Sequence, residues 1–265
     1  SLARAVETSA VDLILVGDSG AMVMLGEQTT SPATMDQMVV FARAVRHGAA
    51  TTPIVGDLPR GSYEPSDEIA VSNAMRFCKE ANCEAVKLEG GARVARRVEA
   101  ITRAGIPVIG HIGLTPQSSA QLGGYRVTGR SDEEESWLVD EAKALESAGA
   151  VAVLVEATPP TASKKIRNAI DVPVFGIGAG PELDGQLLII HDLLGLYPDF
   201  RPKFAKNYVP EILDEFLDSL SESSDLVRFG RETRKDGFFE LAVRSLDQFA
   251  REVTTGNFPG PGFIY

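Results

Sequence analysis

Two charged side chains interrupt a run that is otherwise apolar. In VKLEGG, Val86 to Gly91, Lys87 and Glu89 lie two residues apart, and side chains two apart on a strand share a face. Burying a cation and a carboxylate as mere framework is costly unless each ion is matched. Two readings stay open on these residues alone. The face looks into a site for a metal or an anionic substrate, or Lys87 and Glu89 form a private ion pair at a strand end. Other apolar runs also stop at polar residues: DLILVGDSG at Asp18, TPIVGDLP at Asp57, IPVIGHIGLTPQ at His111 and VAVLVEATPP at Glu156.

The elements that must carry these residues follow from the same runs. Short β-branched stretches, each ending in a polar residue or in the glycines of VPVFGIGAG, read as strands, with GQLLIIHDLLG as a weaker candidate. Between most of them lie helical patterns such as SDEIAVSNAMRFCKEAN and EESWLVDEAKALESAG. Nearly continuous apolar strands imply a parallel sheet covered on both faces. Seven such strands approach the eight of a (β/α)8 TIM barrel, whose sites sit at the carboxyl ends of its strands. A doubly wound open sheet is the alternative. Polar residues at nearly every strand end, instead of at one switch point, favour the barrel. Asp18, Asp57 and Glu89, at three successive strand ends, would then converge on one rim.

The bulk properties set the limits. A chain of 265 residues with 44% hydrophobic content suits one barrel-sized domain. A net charge of −11 argues against nucleic acid or an anionic membrane as partner. No run reaches the length of a membrane span and no signal-peptide pattern opens the chain, so a cytoplasmic location is expected. Cys78 and Cys83, without a nearby histidine pair, read as reduced, partly buried thiols.

In order, VGDSGAMVMLG, GDLPRGSYE, VKLEGG, GHIGLTPQSSAQLGGYRVTGR, VEATPP, GIGAGPELDGQLLIIHDLLGL and PKFAKNY resemble the ketopantoate hydroxymethyltransferase family, related to phosphoenolpyruvate mutase and isocitrate lyase. The resemblance implies a (β/α)8 barrel, Mg2+, 5,10-methylenetetrahydrofolate as co-substrate, a branched 2-oxo acid as acceptor, and a homo-oligomer, often a decamer. It implies Asp18, Asp57 and Glu89 as metal ligands or ligand-positioning groups. A carboxylate trio without cysteine or clustered histidine favours magnesium over zinc. It also implies Asp18, Ser19, Asp57, Lys87 and His111 as substrate contacts and Glu156 as the proton acceptor. The apolar or rigid flanks of Glu156 are expected to raise its pKa toward general-base range.

Departures from the family pattern accompany these matches. Family members begin with a further strand, whereas this chain opens on what reads as the following helix. The first barrel strand is therefore expected to be missing from this chain, or its gap filled by the C-terminal extension. Residues 1–209 read as the barrel and 210–265 as a helical extension packed on it or at an oligomer interface, with a lid as the alternative. In the site loops Gly20, Ala21, Arg60, Ala157 and Thr158 differ from the usual family residues, which leaves the preferred oxo acid open and adds a cation, Arg60, beside the site. The alternatives are an Mg-dependent lyase or mutase on another 2-oxo acid and a non-catalytic metal-binding barrel. Lyases of the superfamily rely on a loop cysteine, and neither cysteine here ends a strand. Of the remaining residues, the acidic run Asp132 to Glu135 reads as a solvated helix start, Trp137 as core or interface, His191 as a buried histidine and GIGAG as tight turns.

Overall fold

Strands that are apolar on both faces and helices with an apolar period of three to four fold into a single parallel sheet with helices outside it. The computed structural model describes residues 1–118, 124, 126–197, 201–221 and 226–265, with side chains apart from those of 216–236. The unassigned stretch of the GHIGLTPQSSAQLGGYRVTGR motif, 119–123 and 125, lies outside the described residues.

Seven strands run in the order β1 (Ile14–Val16), β2 (Ile54–Asp57), β3 (Ala85–Glu89), β4 (Val108–Gly113), β5 (Ala152–Glu156), β6 (Val174–Ile177) and β7 (Gly185–Gln186), every neighbour parallel. They form a curled half-barrel of α/β type. The weak strand candidate is a strand only at Gly185–Gln186 and turns helical at Ile190–Leu193.

Alternation sorts each strand onto two faces. Val55, Ala85, Ile109, Ala152, Leu154 and Ile177 form one apolar cluster with Phe204 and Ala205. Beneath Lys87 this inner floor leaves a cavity of about 20 Å³, about the volume that one water needs. The opposite residues, Ile54, Val86, Leu88, Val108, Ile112, Val153 and Val155, pack against the helices. Glycines in the strands admit bulky helical side chains: a Cβ on Gly56 would lie 2.4 Å from the Phe77 ring.

The helices on this outer layer are α3 (Met35–Gly48), α4 (Asp67–Ala81), α5 (Ala95–Arg103), α6 (Asp132–Ser147) and α7 (Pro160–Ala169). Their starts are chemically marked. Thr34 and Gln37 close a capping box on α3, while Ser66 and Ser131 accept from the N–H groups of Ile69 and Glu134. Trp137 on α6 is exposed, and Glu135 of the acidic run is buried against Lys165.

A second apolar cluster lies at the flank of the sheet. Ala5 and Val6 of α1 (Leu2–Thr8) join Leu193, Leu194, Tyr208 and, from the long C-terminal helix Leu226–Thr254, Ala242, Val243, Leu246 and Phe249. Glu252 of that helix accepts from Lys206 at 2.7 and 3.0 Å and from the Tyr208 hydroxyl at 2.9 Å. The PKFAKNY segment is thereby tied to the extension.

Candidate active site

Strand register brings the polar strand ends together. Asp57 lies beside Lys87 and Glu89 beside His111, while Glu156 lies beside Gly113. Because Lys87 and Glu89 share a face, the four side chains Asp57, Lys87, Glu89 and His111 form one patch two strand levels deep. Asp18, two residues past β1, closes the patch through its backbone N–H, which donates to Asp57 Oδ2 at 3.0 Å. Glu156 reaches it diagonally, its Oε2 standing 3.1 Å from His111 Nε2.

Lys87 Nζ donates to both oxygens of Asp57, at 2.8 and 2.9 Å, and more distantly to Glu89 Oε1 at 3.4 Å. An ion pair is therefore present, but its main partner is Asp57, the neighbour across the sheet, and not Glu89 along the strand. Both members are almost fully buried, Lys87 at 3% and Asp57 at 1% exposure. Burial opposes the lysine's charge, yet Asp57, Glu89 and Asp18 outweigh it and push its pKa up.

The carboxylates outnumber the cations around them. Burial, then repulsion from Asp57, pushes the Asp18 carboxyl up to about 8. Burial pushes Asp57 up as well, with Lys87 pulling against it. Glu89 goes the other way: burial raises it, but Lys87 and His111 together hold it below the usual range. For His111, burial and Lys87 oppose the charged ring, and hydrogen bonding to Glu156 and Glu89 overcomes both, raising it to about 9. Its Nδ1 stands 3.4 Å from Glu89 Oε1. Neither ring nitrogen points squarely at its carboxylate oxygen, so these are ion-pair contacts more than well-directed hydrogen bonds.

Two backbone features aim Glu156. Gly113 is left-handed at φ 90°, and a Cβ there would lie 2.3 Å from the Glu156 carbonyl oxygen, so only glycine allows the β4 and β5 ends to approach this closely. Ala157, directly after Glu156, is buried at φ 47°, a conformation that costs an L-residue about 1–2 kcal/mol. Thr158 Oγ1 donates to the Glu156 carbonyl at 3.0 Å and holds the turn.

The rest of the expected site divides. Ser19 is half-buried at the start of the helix Gly20–Leu25, which also contains Ala21, and its hydroxyl makes no capping bond. Arg60 is exposed and donates to the Gln117 carbonyl at 3.0 Å. His191 is half-buried, and Cys78 and Cys83 lie in and just after α4, away from the rim. Two residues that the strand-end pattern does not mark belong to the cluster. Gln117 donates from Nε2 to Asp18 Oδ2 at 3.0 Å and from its backbone to Glu89 Oε2 at 3.0 Å. The Tyr63 hydroxyl donates to Gln117 Oε1 at 2.8 Å. Both lie in quoted motifs, GSYE and GLTPQ, which was the only signal available.

The chemistry of the donors fits a hard divalent cation. Buried carboxylate oxygens in excess of their counter-charges, one of them driven to hold its proton near neutrality, are what a cation would relieve. Among the described residues no three His, Cys, Asp or Glu side chains are grouped so that they could hold a metal ion together. An ion that keeps most of its waters and takes one or two carboxylates, as Mg2+ does, matches that arrangement.

A parallel strand–helix wall with its polar groups at the carboxyl ends of the strands is an α/β half-barrel of TIM-barrel-like type. Known structures agree on the fold. A lyase/mutase of Burkholderia cenocepacia J2315, described as putative, superposes with a TM-score of 0.54 at 16% identity, covering 99% of this chain and 89% of that one. The carboxyl transferase domain of Rhizobium etli pyruvate carboxylase gives 0.51 at 16% identity, over 94% of this chain and 43% of that one. Sequence narrows the class. Residues 1–230 match the model of the ketopantoate hydroxymethyltransferase family. A 3-methyl-2-oxobutanoate hydroxymethyltransferase of Alkaliphilus metalliredigens is 52% identical, covering 98% of this chain and 82% of the relative. One from Ignicoccus hospitalis is 44% identical, with 99% and 89% covered. The chain belongs to the ketopantoate hydroxymethyltransferase family and is a transferase.

Proposed function

We propose that this chain transfers a hydroxymethyl group from 5,10-methylenetetrahydrofolate to 3-methyl-2-oxobutanoate, giving ketopantoate for pantothenate biosynthesis. The observation that carries the mechanism is the continuous buried chain Asp18–Asp57–Lys87–Glu89–His111–Glu156 at the carboxyl ends of the strands.

Asp18 and Asp57 would hold Mg2+, with Glu89 as a third or positioning carboxylate. Bound there, the ion would supply Lewis acidity toward the keto and carboxylate oxygens of the substrate. Glu156 takes the proton from the carbon beside the keto group and the resulting enolate carbon attacks the one-carbon unit; water supplies the hydroxyl oxygen, and the carbon–nitrogen bonds to the carrier break to release tetrahydrofolate. His111, charged below about 9, orients the Glu156 carboxylate and balances its charge. Lys87 offers its point charge to the substrate carboxylate or enolate oxygen, sharing it with Asp57, and the Ser19 hydroxyl donates to the carboxylate.

The same reading takes the seven-stranded wall as part of a (β/α)8 barrel, the extension from 210 as packing on it or at a subunit interface, and the enzyme as a cytoplasmic homo-oligomer of the family's decameric kind. Among the described residues no helix is long and apolar enough to cross a membrane. The test is direct. Protein, Mg2+, 3-methyl-2-oxobutanoate and methylenetetrahydrofolate are mixed and the product is weighed by mass spectrometry. Ketopantoate is expected, and its absence with active folate donor would overturn the assignment.

A further inference from the structure

Gln117 is 1% exposed and every polar group it owns is engaged. Nε2 donates to Asp18 Oδ2 and to the Leu58 carbonyl, both at 3.0 Å, and Oε1 accepts from the Tyr63 hydroxyl at 2.8 Å. Its backbone N–H donates to Glu89 Oε2 and its carbonyl accepts from Arg60 Nη1, each at 3.0 Å. With Asp18 ionised this amide orientation is favoured, since turned over Oε1 would face two acceptors, Asp18 Oδ2 and the Leu58 carbonyl. The Tyr63 hydroxyl also lies 3.2 Å from the Glu89 carbonyl. Burial, then the charge of Glu89, pushes the Tyr63 phenol up, so it remains a donor at any working pH.

One residue thus grips a carboxylate oxygen from the end of β1 and another from the end of β3. Gln117 occupies Asp18 Oδ2, and among the described residues Asp18 Oδ1 receives no hydrogen bond. Arg60 is accounted for in the same way, as a clasp on the main chain of Gln117.

We propose that Gln117 is a positioning residue of this site: it fixes the Asp18 and Glu89 carboxylates for a divalent cation, with Tyr63 setting its amide and Arg60 its backbone. This rests on the magnesium reading above. Groups that orient metal ligands typically contribute about 10–100-fold to affinity.

The test titrates full-length protein with Mn2+, following the free-ion EPR signal without substrate. Gln117→Met keeps the side chain's length and removes its donors; Tyr63→Phe removes only the hydroxyl that orients the amide. The dissociation constant is expected to rise ~10–100-fold in Gln117→Met and to rise less in Tyr63→Phe. Proton exchange on 3-methyl-2-oxobutanoate should fall in both and recover as Mg2+ is raised, which a purely structural defect would not do. Should Gln117→Met fail to fold, Tyr63→Phe decides. Wild-type Mn2+ affinity in the folded variants, or lost exchange that excess Mg2+ does not restore, would overturn the proposal alone. Wild-type protein that binds no Mn2+ would overturn the magnesium reading and the proposal with it.

Discussion

Replacing Glu156 by glutamine isolates the proton-transfer step. The side chain is 14% exposed and, among the described residues, meets the cluster through His111 Nε2, 3.1 Å away. Asp18, Asp57, Lys87 and Gln117 keep their mutual bonds, so cation and oxo-acid binding should stay nearly intact. The amide has the same shape but no useful basicity. A positioned base is worth ~10²–10⁴-fold, equivalent to about 3–5 kcal/mol of barrier. Exchange of the proton beside the keto group with deuterated solvent requires only this half-reaction and no folate, and NMR follows the signal directly. The neighbouring histidine supplies an internal control. Raised to about 9 by Glu156 and Glu89 against burial and Lys87, it already carries its proton at neutral pH. Were His111 the base, wild-type exchange would climb about tenfold per pH unit up to that value. With Glu156 as base it should not climb so, and should fall above about 9 as the imidazolium is lost. Wild-type exchange in Glu156→Gln with cation bound would refute the assignment and direct attention to His111.

Three further outcomes are expected. Activity should vanish in excess EDTA and return with Mg2+, and Asp57→Asn should weaken that response, since it removes a charged oxygen and unpairs Lys87; activity indifferent to EDTA would sink the metal reading. A panel of 2-oxo acids should show that the wild type accepts a more polar acid which Arg60→Phe does not; identical profiles would confine Arg60 to its bond with the Gln117 carbonyl. Glu7 is held down to about 2 by hydrogen bonds from Thr52 and Thr51. A depressed carboxyl contributes stability above its unfolded pKa and loses it as pH falls through the folded one. The melting-temperature advantage over Glu7→Gln should therefore be full above about 4.5 and disappear toward about 2; a difference constant with pH would contradict it.

Most of the barrel wall was legible because its strands are apolar on both faces and end in polar residues, a pattern that needs no long-range information. On α6 helical phase overrides residue type. Glu135, Leu138, Ala142 and Leu145 are all buried on α6, so the stripe includes one member of an acidic run, which is matched by Lys165. Trp137 lies one residue off that stripe and is 48% exposed. In GQLLIIHDLLG the apolar run suits strand or helix equally. It becomes helix where Leu193 and Leu194 meet the aromatic side chains of the C-terminal helix.

The site was legible to the extent that its residues end strands. Asp18, Asp57, Lys87, Glu89, His111 and Glu156 are joined into one chain. Partner identity was not legible, because it depends on register between strands. The pairing Asp57↔Lys87 gives the lysine to Asp57, where spacing along the strand pointed to Glu89. The two readings of Lys87, ion pair or substrate contact, are then no longer alternatives. Its partner is itself a proposed cation ligand, so an ion drawing on Asp57 would loosen the carboxylate's hold on Lys87 and would free positive charge for an anionic substrate. Gln117 was hidden for a different reason. It lies in a short turn beyond β4 and meets Asp18 across 99 residues of sequence, and a neutral amide next to a strand end carries no charge by which periodicity could single it out.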